Sequence, residues 1–391
     1  MPRYIFISGN TPTLSQAEQE AILSFDGIDY KATHFSNFSL VEVVNQLNVK
    51  NLILRLGGTV KIGQVLYDRD DTSLQDKIMQ IIVEDLISQG KNSKRLVFGV
   101  SVLTPSYQNY QKKICQGVKE LLEEDRISSR YILGKSALLS SVVVVKQQVC
   151  EYLVVLEPLV IAKTVAVQDF ADWSKRDWGR PAVRPKTGML PPKVARMMVN
   201  IGVGQFRALG SGPVLYDPFC GCGTILNESR ALGYQFFGSD IDVNSVTSAK
   251  KNLDWLETSY KLDKTGSQAI FVHDATKPFP KLAPAPVITV TEGDLGPPQR
   301  QIMSHGHTIE LLSRLNEMYA KYLINQSKTL PQVQVVVLAL PMIVDRDGHT
   351  HHLELVDNCE KFGYTLHETF KYSRPRAFIK REIAVLIKKE V

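Results

Sequence analysis

Long apolar runs are missing from this 391-residue sequence. One apolar run, residues 138–145, is of strand length and contains Ser140 and Ser141. It falls well short of the roughly 18 residues that span a bilayer, so no membrane partner is expected. A signal peptide is missing too: MPRYIFISGN has neither a long apolar stretch nor a small-residue cleavage site. Cysteine is scarce, with five residues at no framework spacing, which excludes a disulfide scaffold and fits reduced thiols in the cytoplasm. Cys220 and Cys222 lack a second pair to complete a zinc site. His349, His351 and His352 show no carboxylate or cysteine at ligand spacing, so no metal is expected. Repeats and low-complexity tracts are also absent. The net charge of +6 is small; it permits a nucleic-acid partner without requiring one.

What is present is ordinary globular material, 44% hydrophobic and 22% charged. The length suits two domains. Residues 1–165 alternate strand-like and helix-like stretches. Strands are expected at 3–8, 30–35, 51–56, 60–66 and 95–102, with β structure also at 140–146 and 152–166. Helices are expected at 15–23, 40–47, 74–87 and 107–122. Ser15 and Glu18 suggest a capping box, and Gly57-Gly58 a hairpin. Residues 166–192 carry prolines, basic residues, Trp173 and Trp178, and read as a linker. From 193 to 391 the pattern is regular. Helices are expected at 193–200, 224–232, 244–253, 309–323 and 353–362. Strands are expected at 214–216, 235–238, 269–272, 287–291, 333–340, 365–372 and 378–387. Such alternation implies an α/β domain with a seven-stranded, mostly parallel, Rossmann-like sheet. The last two strands lack an intervening helix and should pair antiparallel.

The chemistry concentrates in VLYDPFCGCGTILNESRALG, where a strand enters a glycine-rich turn and then a helix. Gly221 and Gly223 let a ligand approach the backbone, and the helix from Thr224 offers free N–H groups. Asp217 at the strand end would repel a phosphate but pair with an ammonium. S-adenosylmethionine carries both an ammonium and a carboxylate, so Asp217 can take the first and the loop amides the second. Asp240, roughly 20 residues on, ends the next strand where a carboxylate grips ribose hydroxyls. Asp274 follows the third strand and could accept from the adenine amine. Taken singly, each aspartate could equally be a surface residue or a helix cap.

DPFCGCGT, GSDID and HDA resemble the methyltransferase domain of the THUMP-containing tRNA guanine-N2-methyltransferase family. RPKTGMLPPKVARMMVN is similar to that family's segment upstream of the cofactor strand, and YSRPRAFIKREIAVLI to its closing hairpin. The likeness covers roughly residues 180–391. It is fainter in LGGTVKIG and LSSVVVVK, which imply an N-terminal α+β THUMP-like RNA-binding region. The resemblance implies S-adenosylmethionine bound by Asp217, Pro218, Phe219, Gly221, Gly223, Thr224, Asp240, Ile241, Asp274 and Ala275. It also implies methylation of a guanosine N2 in tRNA.

The fourth strand departs from the family. Where an acidic or amide residue, two prolines and an aromatic should follow one another, this chain reads TEGDLGPP. Glu292 takes the polar position, Gly293 replaces a proline, and Asp294 or Leu295 stands in place of the ring. Glu292 and Asp294 are the candidate catalytic residues, each able to accept from a guanine amine. Lost stacking would cost ~1–3 kcal/mol of base binding. The other readings are a DNA or other-RNA amino-methyltransferase, or a catalytically impaired RNA-binding protein that keeps the cofactor site. Arg180, Arg184 and Lys186 beside Trp178, and Arg374, Arg376 and Arg381 near the end, are the candidate RNA contacts.

Overall fold

The computed structural model describes residues 1–68, 74–88, 95–104, 106, 109–134, 136–183, 189–206, 212–264, 269–299, 301–374 and 377–389. Two compact units emerge. One holds residues 1–12, 28–55 and 59–170; the other holds 13–27, 56–58 and 171–391. No described helix is long and apolar enough to cross a membrane.

The chain begins β1 (Arg3–Ser8), α1 (Pro12–Phe25), β2 (Tyr30–His34), β3 (Phe38–Val43), α2 (Val49–Arg55), β4 (Thr59–Asp68), α3 (Leu74–Ser88) and β5 (Leu96–Val102). It continues α4 (Tyr110–Glu124), β6 (Ser129–Tyr131), α5 (Ser141–Lys146), β7 (Cys150–Leu156) and β8 (Leu159–Val167). The strands form one sheet, ordered β2-β3-β1-β4-β8-β7-β5-β6. Only the β5–β6 and β5–β7 pairs are parallel. Ile78, Ile82 and Leu86 of α3 and Ile114, Val118 and Leu122 of α4 present helical stripes to Phe98, Val100, Tyr152, Val154 and Ile161.

Three local expectations are corrected here. Residues 40–47 are not a helix: β3 alternates buried Val41 and Val43 with half-buried Leu40 and Glu42. Residues 51–56 are not a strand: α2 buries Leu52 and Ile53, adjacent positions that only a helix puts on one side. The valines of 140–146 form the short helix α5, capped by Ser140, whose Oγ accepts from Val143 N at 3.3 Å. The expected start of α4 at Tyr107 lies outside the described residues.

The second unit continues α6 (Phe170–Trp178), α7 (Pro192–Gly204), β9 (Val214–Asp217), α8 (Thr224–Ala231), β10 (Gln235–Asp240), α9 (Val243–Ser259) and β11 (Ile270–Val272). It ends β12 (Ile288–Glu292), α10 (His305–Thr329), β13 (Val335–Val344), β14 (Thr350–His351), β15 (Tyr364–Tyr372) and β16 (Ile379–Lys388). The sheet runs β11-β10-β9-β12-β13-β16-β15, with the short β14 added beside β13. β11 through β13 are parallel, and β16 is antiparallel to both its neighbours. Both faces are covered. Val335, Val337 and Ala339 of β13 join the apolar layer holding α7, α8 and α9 residues. Val336, Leu338 and Leu340 join the layer holding Leu312, Leu315 and Tyr319 of α10. Burial on both sides is why this strand reads as an unbroken apolar run. Residues 353–362, expected as a helix, form turns and a one-turn 3-10 helix at Cys359–Phe362; Leu353, Leu355 and Val356 still reach the second layer.

Two segments belong to this unit in ways the sequence did not suggest. Helix α1 starts at Pro12, so Ser15 is interior rather than its cap. Glu18 instead accepts from Gly57 N at 2.7 Å, Gly58 N at 2.8 Å and Asn200 Nδ2 at 2.7 Å. Gly57-Gly58 is therefore no hairpin. A Cβ on Gly57 would fall 2.5 Å from Lys193 O, and one on Gly58 2.5 Å from Met197 Sδ. Within the expected linker, residues 170–178 are helical. Trp173 is buried there, with the Arg176 and Arg196 guanidinium groups each 5.3 Å from its ring.

Candidate active site

From β9 the chain winds to β10 and β11 on one side, then returns to β12 and β13 on the other. The loops leaving β9 and β12 thus diverge at the carboxyl ends of adjacent parallel strands, the point where wound sheets bind ligands. A cleft of about 470 Å³ lies there. Asp217, Asp240, Glu292 and Asp294 all line it, with Phe219, Gly221, Thr224 and Ile241.

One wall comes from β9, β10 and the loop 218–223. Asp217 is 2% exposed, at the floor. Its Oδ1 accepts from Thr291 Oγ1 at 2.6 Å and Phe219 N at 3.2 Å, and among the described residues no bond falls on Oδ2. Burial pushes its carboxyl up to about 8; those two hydrogen bonds oppose the shift, and the Asp240 and Glu292 carboxylates add to it. A cation in the cleft would reverse that penalty. Asp240 holds the loop: its Oδ2 accepts from Gly221 N and its Oδ1 from Asp242 N, both at 2.9 Å. Gly221 (φ +52) has nothing within 4 Å of where a Cβ would sit, so the turn opens onto space. Gly223 (φ +78) caps α8, and a Cβ there would press on Ala249 at 3.0 Å.

The loop amides are less available than expected. Phe219, Cys220, Gly221 and Gly223 already donate to Asp217, Ser239 O, Asp240 and Cys220 O. The amides left to meet an anion are those of the first turn of α8, which lack intrahelical partners. Arg180, expected to touch RNA, is buried and donates through Nη1 to Thr224 Oγ1 at 2.8 Å. It holds this helix start from within and does not face solvent.

The other wall comes from the end of β12 and residues 293–298. Glu292 is ion-paired with Arg381 of β16. Their side chains are 16% and 5% exposed, so Arg381 is a buried partner rather than an RNA contact. Burial raises the Glu292 carboxyl, and Arg381 pulls it back. Asp294 Oδ1 accepts from Gly296 N at 2.8 Å and Oδ2 from Arg314 Nη2 at 3.3 Å. A Cβ at Gly293 would fall 2.3 Å from the hydroxyl of buried Tyr319, which itself donates to Asp294 O at 3.0 Å. Glycine is thus required by packing. Leu295 lines the cleft in place of a ring, and Phe219 offers an aromatic face to it.

Asp274 and Ala275 follow β11 but do not line the cleft. Asp274 Oδ1 closes a local turn on Thr276 N and Oγ1 at 2.9 and 2.7 Å. Ala275 is buried, its carbonyl accepting from Asn325. Pro218 and Gly223 shape the turn beneath the lining. Arg374 is exposed and donates to Met189 O at 2.8 Å. Arg184, Lys186 and Arg376 lie outside the described residues. Sequence reasoning missed Thr291, which anchors Asp217 from one position before Glu292. It also missed Met318, brought to the cleft by α10; only tertiary packing could reveal that.

No protein-family model matches the chain. It is 25% identical over 258 residues to a protein of Methanothermobacter thermautotrophicus named tRNA (guanine(10)-N2)-dimethyltransferase, covering 65% of this chain and 68% of that one. The crystal structure of TrmN from Thermus thermophilus matches with a TM-score of 0.54 at 13% identity, covering 99% of this chain and 100% of TrmN. SMU.472, solved in complex with SAH, matches with a TM-score of 0.50 at 12% identity, covering 100% and 99%. In sequence the chain is a relative of that dimethyltransferase, and its fold is the one these methyltransferase structures share.

Proposed function

We propose that the chain is an S-adenosylmethionine-dependent RNA methyltransferase acting on the exocyclic N2 of a guanosine in tRNA. The observation that carries this is the convergence of Asp217, Asp240 and Glu292, each at the tip of an adjacent parallel strand, on one cleft at the switch point. The sequence relative named tRNA (guanine(10)-N2)-dimethyltransferase supports the substrate class.

The residues present fit the methyl donor. Asp217 would face its ammonium, the first turn of α8 its carboxylate, Asp240 the ribose hydroxyls, and exposed Ile241 the flat base. Bound there, the donor supplies an electrophilic methyl group. Glu292 would accept a hydrogen bond from the guanine amine, turn its lone pair toward the cofactor wall and take the proton the amine sheds. Arg381 fixes the Glu292 carboxylate in place, and positioning supplies much of the rate. The target base reaches such a cleft only by leaving its stack. We assign residues 1–165 a THUMP-like role in holding structured RNA by shape and phosphates, residues 166–192 the connection, 193–391 the transfer, and the cytoplasm as the place of work.

One observation favours a second reading, an RNA-binding protein impaired in transfer. Both acceptor-wall carboxylates are already engaged, by Arg381 and by Arg314 with Gly296 N. Incubation with labelled donor and total tRNA, rRNA or DNA, followed by nucleoside mass spectrometry, separates the readings. N2-methylguanosine in tRNA is the expected product. Label in DNA overturns the substrate, and donor binding without label in any nucleic acid supports the second reading.

A further inference from the structure

Beyond the cleft, β13 runs into Asp345, and a tight turn brings the chain back as β14 beside it, with Ile343 opposite His351. Gly348 (φ +84) makes the turn, and Asp345 N donates to His349 O at 3.0 Å. The first residue of α10, His305, arrives from 40 positions away. Around the buried Asp345 carboxylate three imidazoles gather. His351 Nε2 lies 2.8 Å from Oδ2, His305 Nδ1 3.0 Å and His349 Nδ1 3.7 Å.

We propose that His305, His351 and Asp345 form a binding site for a divalent first-row transition ion, with zinc the best fit. Their ligand atoms all lie within 4.8 Å of one another, the span over which a tetrahedral ion at about 2.0–2.2 Å per ligand draws donors together. Two imidazole nitrogens and one carboxylate oxygen select zinc-like ions over calcium or magnesium.

A bland alternative is a buried aspartate satisfied by two histidine N–H groups. Three features exceed that need. Asp345 Oδ1 is already held by Asp347 N at 3.0 Å and His349 N at 2.9 Å, an arrangement that aims Oδ2 at the rings as outer partners aim a metal ligand. The His305 side chain is 56% exposed, so core packing does not place it there. His349 also turns to the same oxygen, at 3.7 Å, beyond hydrogen-bond length. His351 lies in β14 and His305 in the first turn of a 25-residue helix, while Asp345 directly follows β13.

The site would also brace the acceptor wall. The described residues 293–299 and 301–304 lie between Glu292 in the cleft and His305. Arg346, next to Asp345, grips them by donating from N to Met303 O at 3.0 Å and from Nε to Ile302 O at 3.1 Å.

The test uses the full chain, stripped with chelator and titrated with zinc chloride by calorimetry, with cobalt(II) absorption as a second readout. Wild type should take up one zinc and show the intense visible bands of tetrahedral cobalt. His305→Ala or His351→Ala should each weaken zinc at least about tenfold, because each removes one of three ligands, and the double variant should abolish it. Zinc should raise the Tm of wild type but not of the double variant. His352→Ala should change nothing, since His352 pairs with Asp357 outside the set. His305 is exposed, so its loss spares the fold. Absence of stoichiometric zinc uptake by wild type at micromolar concentration, or uptake unchanged in the double variant, overturns the proposal.

Discussion

The two walls of the cleft are built from the same material, carboxylates at strand tips, and put it to opposite use. On the β9–β10 wall the hydrogen bonds of Asp217 all fall on one oxygen, and those of Asp240 serve to pin the Gly221 loop. The buried Asp217 carboxyl, with no cation beside it among the described residues, is left to face a ligand. On the β12 wall Glu292 is matched by Arg381, and Asp294 by Arg314 and Gly296 N. Among the described residues Asp217 has no counter-charge, whereas Glu292 already has one. A cationic cofactor completes the first; an acceptor base must share the second.

The largest expected effect tests the first wall. Asp217→Asn keeps the shape and the Thr291 contact but removes the charge. Donor affinity should fall by at least about a hundredfold, about 3 kcal/mol, because an ammonium would face no anion in a buried site. Calorimetry reads this, and a folded variant that still binds the donor at parental affinity would break the comparison. Glu292→Ala should act the other way round. It removes the carboxylate ion-paired with Arg381, a buried guanidinium, at a cost of roughly 3 kcal/mol, visible as a lowered Tm. Transfer should drop below about a hundredth of parental, as expected when a general base is lost, while donor affinity changes far less than in Asp217→Asn. If the two substitutions prove interchangeable in binding and transfer, the walls do not have separate roles.

A gain of function sharpens the contrast. Leu295→Tyr restores a ring where the cleft has an aliphatic side chain. Base stacking should then improve affinity for tRNA by ~1–3 kcal/mol, measurable as a lower KM with donor affinity unchanged. Loss of tRNA affinity instead would mean that Leu295 faces something other than a base.

The cofactor wall was legible in the sequence because its determinants are local. Asp217, Gly221 and Gly223 lie within seven residues, and glycine is favoured where φ is positive. The parallel sheet was legible too, since strands buried on both faces announce themselves as apolar runs such as 335–340. Burial of charge was not legible. Arg381 finds Glu292 across 89 residues and Arg180 finds Thr224 across 44, so a basic residue read as an RNA contact became internal support. Short apolar stretches also misled. Periodicity over six to eight residues fits helix and strand alike, and neighbours decided 40–47, 51–56 and 140–146. The histidine cluster shows both limits: Asp345 stood four residues before His349 and was passed over, whereas His305 was beyond any local pattern.

The smallest effect concerns protons, and its sign follows from the same wall. Burial lifts Asp217 to about 8 from an ordinary value of 3.8, so without ligand it holds a proton at neutral pH that the unfolded chain would release. Its contribution to stability is therefore complete below about pH 4 and lost as pH rises through about 8. Donor binding needs the opposite, deprotonated form. Between pH 6 and 7.5, affinity should thus rise with pH by up to about tenfold per unit, the limit for one linked proton. Calorimetry in buffers of different ionisation enthalpy should count close to one proton released. Asp217→Asn should flatten both the stability slope and the proton count. A parental protein whose donor affinity is level over that range would show that Asp217 is already ionised before the ligand arrives, and that the first wall is less starved of positive charge than its burial implies.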